Sequence, residues 1–318
     1  MPSARTAPTR GPDANPAPAA ARAPGGRRGS AAATLGLSLM VVIWAVNFSF
    51  IKLALRELPP LAFNALRFPL ASLALFALVR ALGPVPIPRA RDQLRLLALG
   101  VLGNSIYQLF FISGMEHARA GVASLLLSGT PVMTALLSAA VGHERVGPRV
   151  WAAVVATFGG MALVVLGGRG VHGGGVPLWA NLLMLGSSAC WAVYTVGSAQ
   201  LVERYGPVAF TAWTLWWGSV GIVLAGLPQL LATPLASVSG ATWAAVAYSG
   251  VFSIGLAYSL WYFGVQHVGS TRTAVFNNLV PVVALAVAWV WLREVPTPVQ
   301  LGGAAIIVTG VSLARRSS

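Results

Sequence analysis

Two cations stand in apolar surroundings near the start of the sequence. Lys52 closes the stretch WAVNFSFIK and Arg67 lies within LAFNALRF. Neither has an acidic residue within four positions inside its own apolar segment. A lysine near the end of such a segment can snorkel, its stem along apolar surface and its ammonium at the interface. Arg67 is deeper and needs a partner. Glu116, at the matching end of the third apolar run, is the acid nearest in depth, with Glu57 in the first loop as its rival. The expectation is a cluster of Lys52, Arg67 and Glu116 that helps to close a cavity, or draws in a carboxylate. Snorkelling stays open for Lys52.

Aromatic and amide residues form the second constellation. Trp44 and Trp191 fall near the middle of apolar runs, and one helical turn further on stand Asn47 and Tyr194. Asn104, Tyr107, Gln108 and Phe111 share one helical face. A later run offers Tyr258, Trp261 and Tyr262. Asn277 and Asn278 are adjacent, and Leu127 with Ser128 holds the corresponding place earlier in the chain. Unpaired amides are costly in hydrocarbon, so these residues either bond between helices or line a polar wall. Core packing competes with cavity lining for the aromatic rings. Pro131 and Pro281 lie just beyond the polar pairs, where a missing N–H frees a carbonyl and permits either a hinge or a fixed kink. Aromatic walls with a few orienting amides suit a small amphipathic solute, best an amino acid or similar zwitterion and next a lipophilic cation, for which ring faces offer cation–π attraction.

Other chemistry is excluded by spacing. GRGVHG at 168–173 fits a dinucleotide pattern but does not follow a strand. His143-Glu144 has no second histidine at the zinc-protease spacing, and one cysteine with four histidines makes no metal cluster. There is no phosphate-binding loop for ATP, no paired acids for a transferase, and no expected cofactor. Glu144 and Glu294 end their helices and read as structural.

These residues must be positioned by membrane helices. The chain has 318 residues, 56% hydrophobic and 9% charged, against about 25% charged in soluble domains. A run of about 20 apolar residues spans the hydrocarbon core as a helix. Ten are expected, at 32–54, 61–82, 93–115, 120–141, 149–168, 178–200, 207–230, 241–263, 270–291 and 298–314. Residues 1–30, rich in Pro, Ala, Gly and Arg, are expected to be a disordered cytoplasmic tail. The net charge of +14 does not indicate nucleic acid, because the cations sit in the tail and in loops. With the N-terminus inside, fifteen arginines fall inside and four (Arg56, Arg119, Arg169 and Arg293) outside, which places both termini in the cytoplasm.

The chain also repeats. Shifted by 150, Gly100, His117, Pro131, Glu144 and Gly160 fall on Gly250, His267, Pro281, Glu294 and Gly310; shifted by 147, Trp44, Pro60 and Phe63 fall on Trp191, Pro207 and Phe210. Two repeats, 31–168 and 169–318, with five spans each must be inverted, and inverted repeats mark transporters with a midplane site between them. The fold class expected is an all-α polytopic membrane protein of ten transmembrane helices in two inverted five-helix repeats.

The pattern W-x-x-N-F…K…P-P…R-F at 44–68, with its twice-occurring P-x(12)-E, resembles the EamA type of the ten-helix drug/metabolite transporter superfamily over roughly 32–314. Lys52 and Arg67 match that family's basic positions. The resemblance implies a secondary transporter in a bacterial inner membrane that exports amino acids, related metabolites or drugs, and no enzyme. A multidrug exporter and an intramembrane transferase are the alternatives. A small-molecule substrate and the lipid bilayer are the expected partners, with a homodimer allowed.

Overall fold

The computed structural model describes residues 27–83, 85–141, 148–167, 177–268 and 276–315. Among these residues the only regular structure is helical. In chain order the helices are α1 (Arg27–Ala54), α2 (Pro60–Leu82), α3 (Ala90–His117), α4 (Ala120–Leu127 and Thr130–Ala140) and α5 (Pro148–Gly167). They continue as α6 (Leu178–Tyr205), α7 (Pro207–Ala232), α8 (Gly240–Ala247, Tyr248–Leu256 and Ala257–Val268), α9 (Val280–Leu292) and α10 (Pro298–Arg315). Six of them, α1, α2, α3, α6, α7 and α8, are long and apolar enough to cross a membrane. The others carry shorter apolar stretches within Ala120–Thr134, Val154–Gly167, Val280–Leu292 and Pro298–Gly310. Outward-facing side chains such as Leu35, Leu73, Leu224 and Val290 are well exposed. An apolar perimeter of that kind is unstable against water and suited to lipid.

Proline and glycine set the boundaries. Pro60 and Pro207 open α2 and α7, where a missing N–H has no helical partner to lose. Gly83 (φ 116°) and Gly206 (φ 81°) stop α2 and α6 in backbone conformations that favour glycine. Some ends lie beyond expectation. α1 begins at Arg27, inside the segment expected to be unfolded, because the alanine-rich run after it favours helix. α6 continues to Tyr205, where Arg204 and Tyr205 both bond to Asp92 of α3.

The repeat is visible in how helices choose partners. α1 packs on α8 and α9, and α6 packs on α3 and α4. α2 pairs with α7, and α5 with α10. Exchanging the first five helices for the last five leaves these pairings unchanged. α1 and α3 run parallel, since Phe48 meets Phe111 and Lys52 reaches the carbonyl of Met115. α3 and α6 run antiparallel, with Gly114 against Ala180 and Gly103 against Tyr194. α6 therefore opposes its repeat mate α1, and the repeats are inverted.

Two irregularities recur in both repeats. α3 widens to a π-helical stretch at Val101–Ile106 and α8 at Tyr248–Leu256. α4, expected as one helix, breaks at Ser128 and Gly129, and the chain breaks again at Asn278 and Leu279 before α9. Pro131 cannot donate to the carbonyl of Leu127, and Thr130 Oγ1 takes that place at 2.7 Å. Such interruptions survive inside a membrane only where protein or a cavity satisfies the backbone.

Candidate functional site

The irregular segments surround a cavity of about 550 Å³. Trp44, Asn47 and Phe48 of α1 and Tyr107, Gln108 and Phe111 of α3 form much of one side. Trp191 and Thr195 of α6 and Ser253 and Tyr258 of α8 contribute from the second repeat. Ser128, Thr130 and Pro131 line it at the break in α4, and Asn277, Asn278 and Pro281 line it at the equivalent break before α9. The second half of α4 and the whole of α9 thus begin at the cavity, with the positive ends of their dipoles toward it.

The aromatic wall is held in place by specific contacts. Trp44 Nε1 donates to the carbonyl of Ser253 at 2.8 Å, and its ring meets that of Tyr258 edge-on, 6.2 Å between centroids. Tyr107 and Phe111 stack 5.9 Å apart with planes 3° from parallel. Tyr107 also meets Trp191 at 5.2 Å. Asn47 Oδ1 accepts from Ser249 Oγ at 2.6 Å, tying α1 to the π-helical stretch of α8.

Arg67 lines this cavity and is 3% exposed. Its Nε donates to Asn64 Oδ1 at 2.9 Å and its Nη2 to Gln108 Oε1 at 2.7 Å. The guanidinium lies 5.0 Å from the ring centroid of Phe63 and 5.3 Å from that of Phe68. An arginine near a span's centre costs about 2.5–3.5 kcal/mol or more, and hydrogen bonds to charged groups return about 1.5–3 kcal/mol each. Its partners are neutral, so the charge itself is not cancelled.

The expected cluster of Lys52, Arg67 and Glu116 is therefore corrected. Lys52 Nζ donates to the backbone carbonyls of Met115 at 3.2 Å and Glu116 at 3.0 Å, capping the end of α3. The Glu116 carboxylate lies 3.8 Å from His117 Nδ1. Glu57, the rival partner, accepts instead from the backbone N–H and hydroxyl of Ser239, both at 2.8 Å. Arg67 turns to amides because Gln108 sits across from it on α3, a neighbour that depth alone does not reveal.

Other expected site residues divide. Trp44, Asn47, Tyr107, Gln108, Phe111, Ser128, Trp191, Tyr258, Asn277 and Asn278 all border the cavity. Tyr194 does not: it is buried against Phe210, with its hydroxyl 3.0 Å from Thr214 Oγ1. Trp261 stands 5.9 Å from Trp44, off the cavity surface. Tyr262 is in α8, but its side chain lies outside the described residues, as do residues 142–147 with Glu144. Glu294 Oε2 accepts from the N–H of Gly121 at 3.4 Å, at the start of α4, in keeping with a structural role. Asn64 was not anticipated, although its position three residues before Arg67 puts both on one helical face. Thr134, one turn beyond Thr130, carried the same signal.

A membrane bundle of inverted repeats with a polar-aromatic cavity at broken helices defines a transporter. The EamA-like transporter family matches the chain twice, over residues 32–166 and 178–316. The chain belongs to that family. It is 32% identical over 285 residues to a probable terminal-alkyne amino-acid exporter of Streptantibioticus cattleyicolor, covering 89% of this chain and 93% of that protein. It is 27% identical over 283 residues to a probable amino-acid metabolite efflux pump of Escherichia coli, covering 86% and 91%. A solved crystal structure shares the fold with a TM-score of 0.62 at 23% identity, covering 90% of this chain and 99% of that one.

Proposed function

We propose that the chain exports amino acids or closely related small metabolites by alternating access, with the cavity between the repeats as the substrate site. The observation that carries this reading is the cavity itself: both repeats line it, and aromatic rings and amides face it together. Its volume of about 550 Å³ suits a solute of amino-acid size with some solvent. The names of the two relatives point the same way. Repeats 31–168 and 169–318 would rock against each other, with Pro131 and Pro281 at the flexing points and 1–30 as a cytoplasmic tail. The protein acts in this reading as a carrier in the inner membrane, with both termini in the cytoplasm, and performs no chemistry on its cargo.

Efflux of radiolabelled amino acids from loaded proteoliposomes tests the proposal. Folded protein should release at least one aliphatic or aromatic amino acid faster than empty liposomes do. Release no faster than from empty liposomes, across the twenty amino acids and their N-acyl and keto-acid relatives, would overturn it.

A further inference from the structure

Taking the cavity as the substrate site, we propose that Arg67 is the anchor for a carboxylate on the transported solute, and that the site discriminates against amines and cationic drugs. The argument begins with charge. Among the described residues the acids are Glu57, Asp92, Glu116, Glu203 and Glu294, all in loops or within a few residues of helix ends, and none pairs with Arg67. A guanidinium has five N–H donors. Asn64 and Gln108 occupy two of them, leaving three for whatever enters the cavity.

Packing does not explain the charge, because the second repeat shows what packing needs at the same place. Shifted by 147, Arg67 falls on Thr214. The two positions are built alike. A methyl group added at Gly250 of α8 would stand 2.7 Å from the carbonyl oxygen of Arg67, and one added at Gly100 of α3 would stand 2.6 Å from that of Thr214. Thr214 is fully buried and satisfied by Tyr194 and by the carbonyl of Phe210 at 2.9 Å. A small neutral hydroxyl serves that helix crossing. The first repeat keeps a cation there, and only the cation borders the cavity.

The surroundings agree in sign. The second half of α4 and α9 both start at the cavity, so the field of two helix N-termini adds to that of Arg67. Asn64 takes Nε–H and Gln108 one N–H of Nη2, leaving Nη1 and the second N–H of Nη2 for the two-oxygen fork of a carboxylate. The apolar remainder of the solute then meets Trp44, Tyr107 and Phe111.

The experiment uses four matched ligands: phenylalanine, its N-acetyl derivative, its amide and phenethylamine, with a phosphate ester of similar size as a fifth. Each is measured by quenching of cavity tryptophan fluorescence and by efflux. Phenylalanine and N-acetylphenylalanine should bind about tenfold or more tightly than the amide and the amine. R67Q should bind acid and amide alike, and R67K should keep part of the preference. Where R67Q does not fold, the parent's own ranking decides. Equal binding of all ligands, or tighter binding of the amine or the phosphate ester, would overturn the anchor and leave the exporter reading standing. Failure of folded parent to bind any of the five would overturn the anchor, and failure to move any of the twenty amino acids or their relatives would overturn both.

Discussion

Glu57 and Arg204 stand 147 residues apart, at the ends of α1 and α6, and each ties its helix to the start of a helix in the other repeat. Glu57 accepts from the backbone N–H and hydroxyl of Ser239, just before α8, and Arg204 Nη1 donates to Asp92 Oδ2 at 2.6 Å in the first turn of α3. The links are equivalent in position and opposite in charge. Because the repeats are inverted, they lie at opposite ends of the bundle.

The link at α3 draws on two residues of α6, since Tyr205 also donates to Asp92 Oδ2, at 2.7 Å. Asp92→Ala removes both partners and should lower the thermal midpoint of the purified protein by several degrees. Arg204→Ala, which leaves Tyr205 in place, should lower it less. Differential scanning fluorimetry checks the order, and an equal effect of the two would separate Tyr205 from the link.

The link at α8 depends on pH. Hydrogen bonds from the Ser239 backbone and side chain hold the Glu57 carboxyl below its ordinary value of 4.5. A depressed carboxylate contributes stability above its unfolded value and loses it as pH falls through the folded one. Glu57→Gln should therefore melt below the parent near about pH 7, and the gap should close on acidification below the carboxylate range. A gap that persists in acid would show that Glu57 acts through packing.

Gly250 lets α8 cross against the backbone of Arg67. Gly250→Ala, whose methyl would also stand 2.9 Å from Leu70 Cβ, should destabilise the protein by about 1–3 kcal/mol. Gly240→Ala on the same helix meets nothing within 4 Å and should be nearly neutral. Melting of the two variants side by side makes the comparison.

Trp44 and Trp261 touch, yet only Trp44 borders the cavity. Trp44→Ala should weaken substrate binding about tenfold, by loss of a buried aromatic contact. Trp261→Ala should change affinity little while lowering stability. Titrations on both variants would expose a reversed order, which would move the binding surface toward Trp261.

Orientation is open to direct labelling. In a Cys190→Ala background, a cysteine at Ala236 between α7 and α8 should react with impermeant maleimide in intact cells, and one at Gly83 should not. The opposite pattern would invert the assignment of both termini.

Much was settled by the sequence alone, and the reason is locality. A membrane helix satisfies its own backbone, so its existence depends only on a long enough apolar run; Pro60 and Pro207 open helices, and Gly83 and Gly206 end them, through their own backbone geometry. The repeat and its inversion follow from residue identity and an odd count of spans. Rotation about each helix axis is different, because it is set by the neighbour. Tyr194 sits one turn from Trp191, yet it turns to Phe210 and Thr214 while Trp191 faces the cavity. Arg67 meets Gln108 instead of Glu116 because the crossing of α2 with α3 decides which turn is opposite. The breaks at Ser128 and Asn278 are likewise tertiary, since interrupted backbone is tolerable only where a cavity and packed partners take up the groups it frees.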